Sequence, residues 1–390
     1  MIKFEEAMEI AGRHKINPGT ESIGFMDSLG RVLAEDIKSD MDMPPFDKTA
    51  VDGYACRRAD LNKDLVINEV IAAGSLALSP VKTGECAKIM TGAAVPDGAD
   101  YVFMVEYAEE KDGRVKFTGK EGKDNIAIKG EDIKQGDIVL KGGRTIKPQD
   151  IAVMATVGAV KVSVSCKLKV GIISTGDELV EPDNVPAKGQ IRNSNAYQLV
   201  AQTIRSGADA HYFGIAPDNE EETFDIVARA LDACDIVLLT GGVSMGDYDF
   251  VPHVLQLAGV EILFDRVAVQ PGKPTTFGLG KNALVFGLPG NPVSSFVQFE
   301  LFVRPLIQRS MSANWKPESF SIPLAVDYTR KRSERLAFVP VIINDKGEAE
   351  PTSYHGSAHI NALPDAGGLM KVPLGIKELK KGDKVDVRSI

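Results

Sequence analysis

The stretch KLKVGIISTGDEL, residues 167–179, decides the fold. It opens with a run of apolar and β-branched residues and ends in a loop of Ser, Thr, Gly and Asp. A short apolar run that leads into turn residues is typical of a buried β-strand. From this strand onward, strand-like and helix-like segments alternate along the chain. Such a βαβα rhythm predicts a mainly parallel, doubly wound sheet with helices on both faces.

The segments of this central α/β domain have recognisable ends. One predicted helix closes at Gly207, one has an acidic first turn, and two have a proline near their start. Residues 264–280 interrupt the alternation and predict a β-hairpin at one edge of the sheet. The strand-like segments are 167–174, 209–216, 235–240 and 282–288, and the helix-like segments are 194–207, 220–234, 249–259 and 291–307.

The flanking regions have a different pattern. Between about residues 64 and 165, short alternating segments are separated by Gly, Asp and Lys turns, which predicts a β-rich region of hairpins. Helical spacing is found near residues 2–13 and 147–158. Residues 321–390 lose the helical pattern and predict a small β-barrel or sandwich. The fold class is therefore multidomain α/β plus β.

Composition excludes several classes of function. The chain has 390 residues, 44% of them hydrophobic and 25% charged, which favours two to four globular domains. Its formal net charge of -9 argues against non-specific nucleic-acid binding. No apolar run is long enough to span a membrane, and the start of the chain does not resemble a signal peptide, so we expect a cytosolic protein. The four cysteines form no CxxC pair, which disfavours both a disulfide framework and a zinc site.

Three loops are predicted at the carboxyl ends of the central strands, where doubly wound sheets bind ligands. They are STGDEL (174–179), TGGVSMGDYD (240–249) and LPGNPVSS (288–295). Their glycines permit close backbone approach, and the helix that follows LPGNP offers free N–H groups to an anion. Walker and GxGxxG patterns are absent, so the predicted ligand is a phosphate-bearing molecule of another type. The candidate binding residues in these loops are Ser174, Thr175, Gly176, Gly241, Gly242, Ser244, Gly246, Pro289, Gly290, Asn291 and Ser294.

Acidic residues cluster at the same predicted edge. Clustered carboxylates beside an anionic ligand need a cation, and Mg²⁺ suits oxygen ligands and phosphate. Helix N-capping is the alternative for Asp218, in the sequence APDNEEE. Lys273, held between two prolines in PGKP, is a candidate anion contact or an ordinary exposed lysine. The acidic candidates are Asp177, Glu178, Asp218, Asp247 and Asp249.

Taken in order, these loops resemble the MoeA family of molybdopterin molybdenumtransferases and the gephyrin E domain. The resemblance covers nearly the whole chain, because each motif is weak alone but their order is specific. The motifs are PPFDKTAVDGYA, TGAAVPDGAD, GEDI, STGDEL, TGGVSMGDYD, PGKPTTFG and LPGNPVSS.

The resemblance implies a subunit of several parts that forms a homodimer with its active site between subunits. The implied parts are an N-terminal helix (1–20) packing on the central domain, a linker domain (21–44 and 137–166), a β-rich domain (45–136), a MogA-like molybdopterin-binding domain (167–308) and a C-terminal β-barrel (318–390). It also implies a MogA-type adenylyltransferase as the partner that supplies the substrate.

The implied reaction is insertion of molybdate into adenylylated molybdopterin, with Mg²⁺-dependent cleavage of the pyrophosphate bond and release of AMP. Family roles fall on Asp52, Glu178, Asp249 and Asp132 as catalytic residues, on Asp218, Asp249 and Glu178 as metal ligands, and on Thr91 and Lys273 as binding residues.

The sequence departs from the family pattern on the anion-binding side. Gln270 stands where members often have lysine, and the usual GRxEFxR run appears as ERLAFVP. Arg335 and Ser357 are the remaining anion candidates there. Tungstate in place of molybdate, a MogA-like adenylyltransferase or nucleotide pyrophosphatase, and a non-catalytic scaffold therefore remain alternatives.

Overall fold

A computed structural model of the chain describes residues 1–242, 251–352 and 358–390. The chain divides into two compact units. The first unit comprises Met1–Glu35, Gly143–Lys147 and Lys161–Ile390, and the second comprises Asp36–Gly142 and Pro148–Val160. The α-helices of the described residues are Phe4–Arg13, Pro148–Thr156, Ser194–Arg205, Glu220–Ala233, Val251–Leu257, Pro292–Gln298 and Arg304–Ser310.

A six-stranded sheet forms the centre of the first unit. Its first four strands are parallel and its last two are antiparallel, which confirms the mainly parallel sheet and the edge hairpin predicted from the sequence. The strands follow the order Asp209–Ala216, Lys169–Thr175, Ile236–Thr240, Leu284–Leu288, Pro274–Leu279 and Glu261–Arg266.

Two apolar clusters cover this sheet on its two faces. One contains Leu199 and Val293 from the helices Ser194–Arg205 and Pro292–Gln298, and Ala7 and Ala11 of Phe4–Arg13 join it. The other contains side chains of the helices Glu220–Ala233 and Val251–Leu257. Strands buried on both faces read as continuous apolar runs, which is why IVLLT, residues 236–240, carries no alternation.

A long helical segment supports one face of the sheet. The helix Pro292–Gln298 continues as a π-helical turn, Phe299–Val303, and then as the helix Arg304–Ser310. Glu300 in the π-helical turn is fully buried and accepts hydrogen bonds from Gln202 Nε2 (2.7 Å) and Arg304 Nη1 (2.9 Å). A buried carboxylate needs such partners, and these bonds fix the helical segment against the helix Ser194–Arg205.

The C-terminal part of the first unit forms a second sheet. Its strands follow the order Val269–Gln270, Leu336–Ile343, Gly368–Val372, Lys384–Ser389 and Ser319–Pro323, with Ala349–Pro351 paired to Leu336–Ile343. Among the described residues its two outer strands are not paired with each other, so the sheet is open where the expected barrel would close. Smaller strand pairs in the first unit are Thr20–Gly24 with Lys161–Ser165, Leu179–Val180 with Ile191–Arg192, and Tyr328–Thr329 with Glu378–Leu379.

The second unit is built on a mixed six-stranded sheet, as the short alternating segments predict. Its strands follow the order Tyr101–Met104, Gly53–Cys56, Glu85–Ile89, Asp64–Ile71, Arg114–Phe117 and Ala108–Lys111. Two strand pairs flank it, Lys48–Thr49 with Ile126–Ala127 and Ile37–Lys38 with Ile138–Leu140. The finer five-part division of the chain stays a prediction.

Candidate functional site

A cavity of about 90 Å³ lies at the carboxyl ends of the central parallel strands. The strand Lys169–Thr175 pairs with Asp209–Ala216 on one side and with Ile236–Thr240 on the other. The chain therefore reverses direction across the sheet here, and such switch points are where doubly wound folds bind ligands. The cavity is lined by Ser174, Thr175, Glu178, Leu179, Ile191, Arg192, Asn193, Ser194, Asn195, Thr240, Gly241, Gly290 and Pro292. We call it the strand-end cavity.

Two glycines bring the loops of this cavity into close contact. Gly241 has φ +98°, and a Cβ there would lie 2.6 Å from the carbonyl oxygen of Thr175. Gly176 has φ +135°, and a Cβ there would lie 2.2 Å from Glu178 Oε2. The backbone conformation and the lack of space both require glycine. Gly242, with φ +60°, is similarly close to Val251.

Sequence reasoning missed Asn193 and Asn195. Asn195 Nδ2 donates to Thr240 Oγ1 (2.9 Å) and to the carbonyl oxygen of Gly290 (2.7 Å), so one side chain ties two ligand-binding loops together. Buried Asn193 caps the helix Ser194–Arg205 and accepts a hydrogen bond from Ser174 Oγ (2.9 Å). An N-cap asparagine was detectable before SNAYQL. The role of Asn195 was not, because its partners are 45 and 95 residues away.

A hydrogen-bond chain behind the cavity holds Asn193 in place. Its Nδ2 donates to the Tyr212 hydroxyl (2.8 Å), which donates to Glu181 Oε1 (2.7 Å). Burial, followed by the hydrogen bond to Glu181, raises the pKa of Tyr212 above its usual value. The hydroxyl therefore stays protonated and continues to donate, so this side of the cavity keeps a fixed pattern of donors and acceptors.

The acidic candidates at this edge have distinct environments. Glu178 is exposed and lines the cavity, with its carboxylate over Gly176. Asp177 and Asp218 exchange hydrogen bonds, each backbone N–H donating to the other carboxylate (3.3 and 3.0 Å). The capping interpretation of Asp218 is wrong, because Asn219 caps the helix Glu220–Ala233 through Glu222 N.

These acids suit Mg²⁺ by donor type. Mg²⁺ keeps several waters and needs only one or two protein carboxylates beside phosphate oxygens. Glu178 and Asp218 are exposed and can supply those oxygens. No group of three His, Cys, Asp or Glu side chains arranged to hold a metal is found within residues 1–242, 251–352 and 358–390.

The LPGNP loop completes one side of the cavity. Gly290 lines it, and buried Pro289 accepts a hydrogen bond from Thr240 Oγ1 (3.3 Å). Asn291 is the exposed N-cap residue of Pro292–Gln298 without a capping bond from its side chain, and Ser294 is buried one turn later. The loop therefore presents backbone toward the cavity, as the sequence predicts.

The PGKP turn lies between the central and C-terminal sheets of the first unit. Lys273 is exposed on this turn. The preceding strand Val269–Gln270 pairs with Leu336 and Ala337, and Arg335 Nη1 donates to the carbonyl oxygen of Val269 (3.0 Å). The two departures from the family pattern, Gln270 and ERLAFVP, are thus neighbours in one sheet.

In the second unit, Asp52 and Thr91 form a bonded pair. The Asp52 carboxylate accepts from the backbone N–H of Thr91 (2.6 Å) and from its hydroxyl (2.9 Å). These bonds, the backbone one first, hold the pKa of Asp52 below its usual value of 3.8. Asp52 is exposed and therefore presents a stable anion at the surface of this unit.

The same stretch positions the loop that carries Asp132. Asp47 Oδ1 accepts from the backbone N–H of Lys129 (2.7 Å), and the backbone N–H of Asp132 donates to the carbonyl oxygen of Met43 (3.1 Å). Asp132 is itself exposed. Residues 43–55 thus connect the three motifs of this unit, and the Asp47 carboxylate supports a turn.

Four predicted binding, catalytic or metal residues, Ser244, Gly246, Asp249 and Ser357, lie outside the described residues, as does Asp247. For the helices that the structure does describe, none combines the length and apolar character needed to cross a membrane.

Family models match three consecutive parts of the chain. Residues 2–158 match the MoeA N-terminal region (domain I and II), residues 171–309 match a probable molybdopterin binding domain, and residues 322–390 match the MoeA C-terminal region (domain IV). The models therefore follow the whole order of motifs found in the sequence.

Individual relatives extend over nearly the full length. The molybdopterin molybdenumtransferase of Bacillus subtilis is 35% identical, over 99% of this chain and 93% of its own. That of Staphylococcus epidermidis is 34% identical, over 99% and 95%. The crystal structure of the molybdopterin biosynthesis MoeA protein from Pyrococcus horikoshii superposes with a TM-score of 0.88 at 31% identity, covering 100% of both chains. The chain therefore belongs to the MoeA family of molybdopterin molybdenumtransferases, which are transferases.

Proposed function

We propose that this chain inserts molybdate into adenylylated molybdopterin, with cleavage of the pyrophosphate bond and release of AMP. The observation that carries the proposal is the strand-end cavity, lined by the glycine-bearing loops of Gly241 and Gly290 in a chain of the MoeA family. Molybdopterin and molybdate are substrates here. The names of the relatives support the transfer of molybdenum, and the adenylylated form of the substrate is our own proposal.

The strand-end cavity would bind the molybdopterin part of the substrate. Asn195 fixes the spacing of the two loops, and Gly176 and Gly241 let backbone approach the ligand. Ser174 and Thr175 line the inner side and Arg192 adds a cation. Fixed walls of this kind reduce the entropy lost on binding.

The acids at the mouth would hold Mg²⁺ beside the pyrophosphate. Glu178, Asp218 and Asp249 are the proposed ligands. Bound there, Mg²⁺ would neutralise charge on the phosphate oxygens during cleavage. Glu178 would also orient the pyrophosphate, because it lines the cavity directly.

Asp52, Thr91, Asp132 and Lys273 are proposed as the second group of site residues. Thr91 keeps Asp52 ionised, so this carboxylate would orient a cationic or N–H group at the reaction centre. Lys273 and Ser357 would meet anionic oxygen. Arg335 also remains a candidate, although one of its N–H groups already bonds Val269.

The assembly is part of the proposal. We propose a homodimer with an intersubunit site, the five-part domain division, a MogA-type partner that supplies adenylylated molybdopterin, and a cytosolic location. Sedimentation of the purified protein across a concentration series tests the dimer.

One assay tests the reaction. Purified protein is mixed with adenylylated molybdopterin, molybdate and Mg²⁺, and AMP and active cofactor are measured. We expect AMP release that requires both molybdate and Mg²⁺. AMP release without molybdate would instead indicate a nucleotide pyrophosphatase, and adenylylation of free molybdopterin by ATP would indicate a MogA-like enzyme. Tungstate in parallel reactions decides which oxyanion is preferred.

A further inference from the structure

Gln298 holds the turn that carries Lys273. Gln298 is the last residue of the helix Pro292–Gln298 and is fully buried. Its Nε2 donates to the carbonyl oxygen of Pro271 at 2.7 Å, inside the protein. A buried hydrogen bond of this kind fixes geometry, because losing the donor leaves the carbonyl without a partner.

The same turn is tightly packed against this side chain. Gly272 has φ +99°, and a Cβ there would lie 2.4 Å from Gln298 Nε2. Buried Thr275 donates from its Oγ1 to the carbonyl oxygen of Gly272 (2.8 Å). The residues on both sides of Gly272 therefore leave the turn one position against the helix.

This contact links two candidate binding elements. The helix that ends at Gln298 begins directly after the LPGNP loop, so loop and turn are held by the two ends of one short helix. At about 1.5 Å per residue, the seven-residue helix sets a spacing of roughly 10 Å along its axis. Helices are stiff at this length, so the spacing is stable.

We propose that Gln298 is a positioning residue for Lys273, setting where the ammonium group meets the anionic part of the substrate. The inference rests on the proposed function for the role of Lys273, and on the contacts of Gln298 for its mechanism. A lysine on a fixed backbone loses less freedom when it binds an anion than one on a mobile turn. Sequence patterns could not indicate this, since the two residues of the bond are 27 positions apart.

The chain offers a matched control in Gln308. It is also buried, and its Nε2 donates to a backbone carbonyl, that of Ser206, at the same 2.7 Å. Both glutamine Oε1 atoms are buried without a hydrogen-bond partner among the described residues. Gln298→Met and Gln308→Met thus remove equivalent bonds, only one of which holds the PGKP turn.

The experiment combines amide hydrogen exchange with a double-mutant cycle. We expect Gln298→Met to speed exchange across residues 267–276 about tenfold and to lower kcat/KM for AMP release by about tenfold, mainly through KM. Gln308→Met is expected to leave both unchanged. In a Lys273→Ala background, Gln298→Met should cause no further loss of kcat/KM. Thr275→Val is expected to reproduce the effect if Gln298→Met does not fold.

Several results would overturn the inference. Wild-type exchange across 267–276 in both Gln298→Met and Thr275→Val would show that the turn does not depend on these bonds. A full additional loss in the Lys273→Ala background would show that Gln298 acts elsewhere, and normal kcat/KM in Lys273→Ala alone would leave it nothing to position. If the wild-type protein releases no AMP, the proposed function fails, and the exchange measurement alone decides whether Gln298 fixes the turn.

Discussion

The strand-end cavity and the Asp52–Thr91 pair differ in how completely each is built. In the cavity, Asn195, Asn193 and Ser174 bond to other parts of the first unit, so its walls are fixed by the fold. In the second unit, Asp52 has one partner residue for its side chain and is otherwise exposed. The cavity is therefore suited to binding, whereas the exposed carboxylate is suited to acting on something presented to it.

The largest expected effect sharpens the contribution of the cavity. Glu178→Gln removes the charge at the cavity without changing its shape, and we expect molybdate-dependent AMP release to fall about 10³-fold. Glu181→Gln is the control on the same loop, because Glu181 already accepts from Tyr197 and Tyr212 and should not affect turnover strongly. Equal losses in the two variants would show that the charge of Glu178 has no special role.

A glycine substitution tests whether the walls of the cavity are as tight as described. Gly241→Ala combines an unfavourable positive φ with the 2.6 Å approach to the Thr175 carbonyl, and should lower the free energy of unfolding by about 3 kcal/mol. Gly189→Ala has φ +91° and open space around it, so it reports the backbone term alone, about 1–2 kcal/mol. Denaturant unfolding of both measures the difference, and equal losses would contradict a close approach of the loops.

Removing the Asn195 amide tests the link between the loops. Asn195→Leu leaves Thr240 Oγ1 and the Gly290 carbonyl without this donor, so we expect a loss of about 2 kcal/mol in the free energy of unfolding. KM for adenylylated molybdopterin should rise more than kcat falls, because binding geometry is what changes. A variant with normal stability and normal KM would remove Asn195 from the account.

The smallest expected effect concerns the exposed pair. Thr91→Val removes the hydroxyl donor but keeps the backbone N–H, so the pKa of Asp52 should rise toward 3.8 without reaching it. A lowered pKa contributes stability at neutral pH that is lost as pH falls through it, so the loss should begin at higher pH in the variant. An NMR titration measures the shift, with Asp60, whose carboxylate bonds Lys63 and Gly84, as the unaffected reference. An unchanged pKa would show that the hydroxyl bond is not formed.

Much of the first unit was predictable because strand periodicity and loop position are local signals. The strand Ile236–Thr240 and the loops beginning at Ser174 and Leu288 follow from apolar runs and the turn residues after them. The bonds of Asn195 and Gln298 were not predictable, since they depend on which distant carbonyl the fold places nearby. The capping residue beside Asp218 was misplaced by one position, as expected where two adjacent residues both favour an N-cap.

The most direct test of this division between binding and acting is equilibrium binding of adenylylated molybdopterin to Asp52→Asn, measured beside its AMP release. The asparagine Oδ1 can still accept from Thr91, so the local fold should be kept. We predict affinity within about twofold of the wild-type protein and AMP release reduced by about 100-fold or more. Affinity that falls in parallel with turnover would place Asp52 in the binding surface and contradict the division.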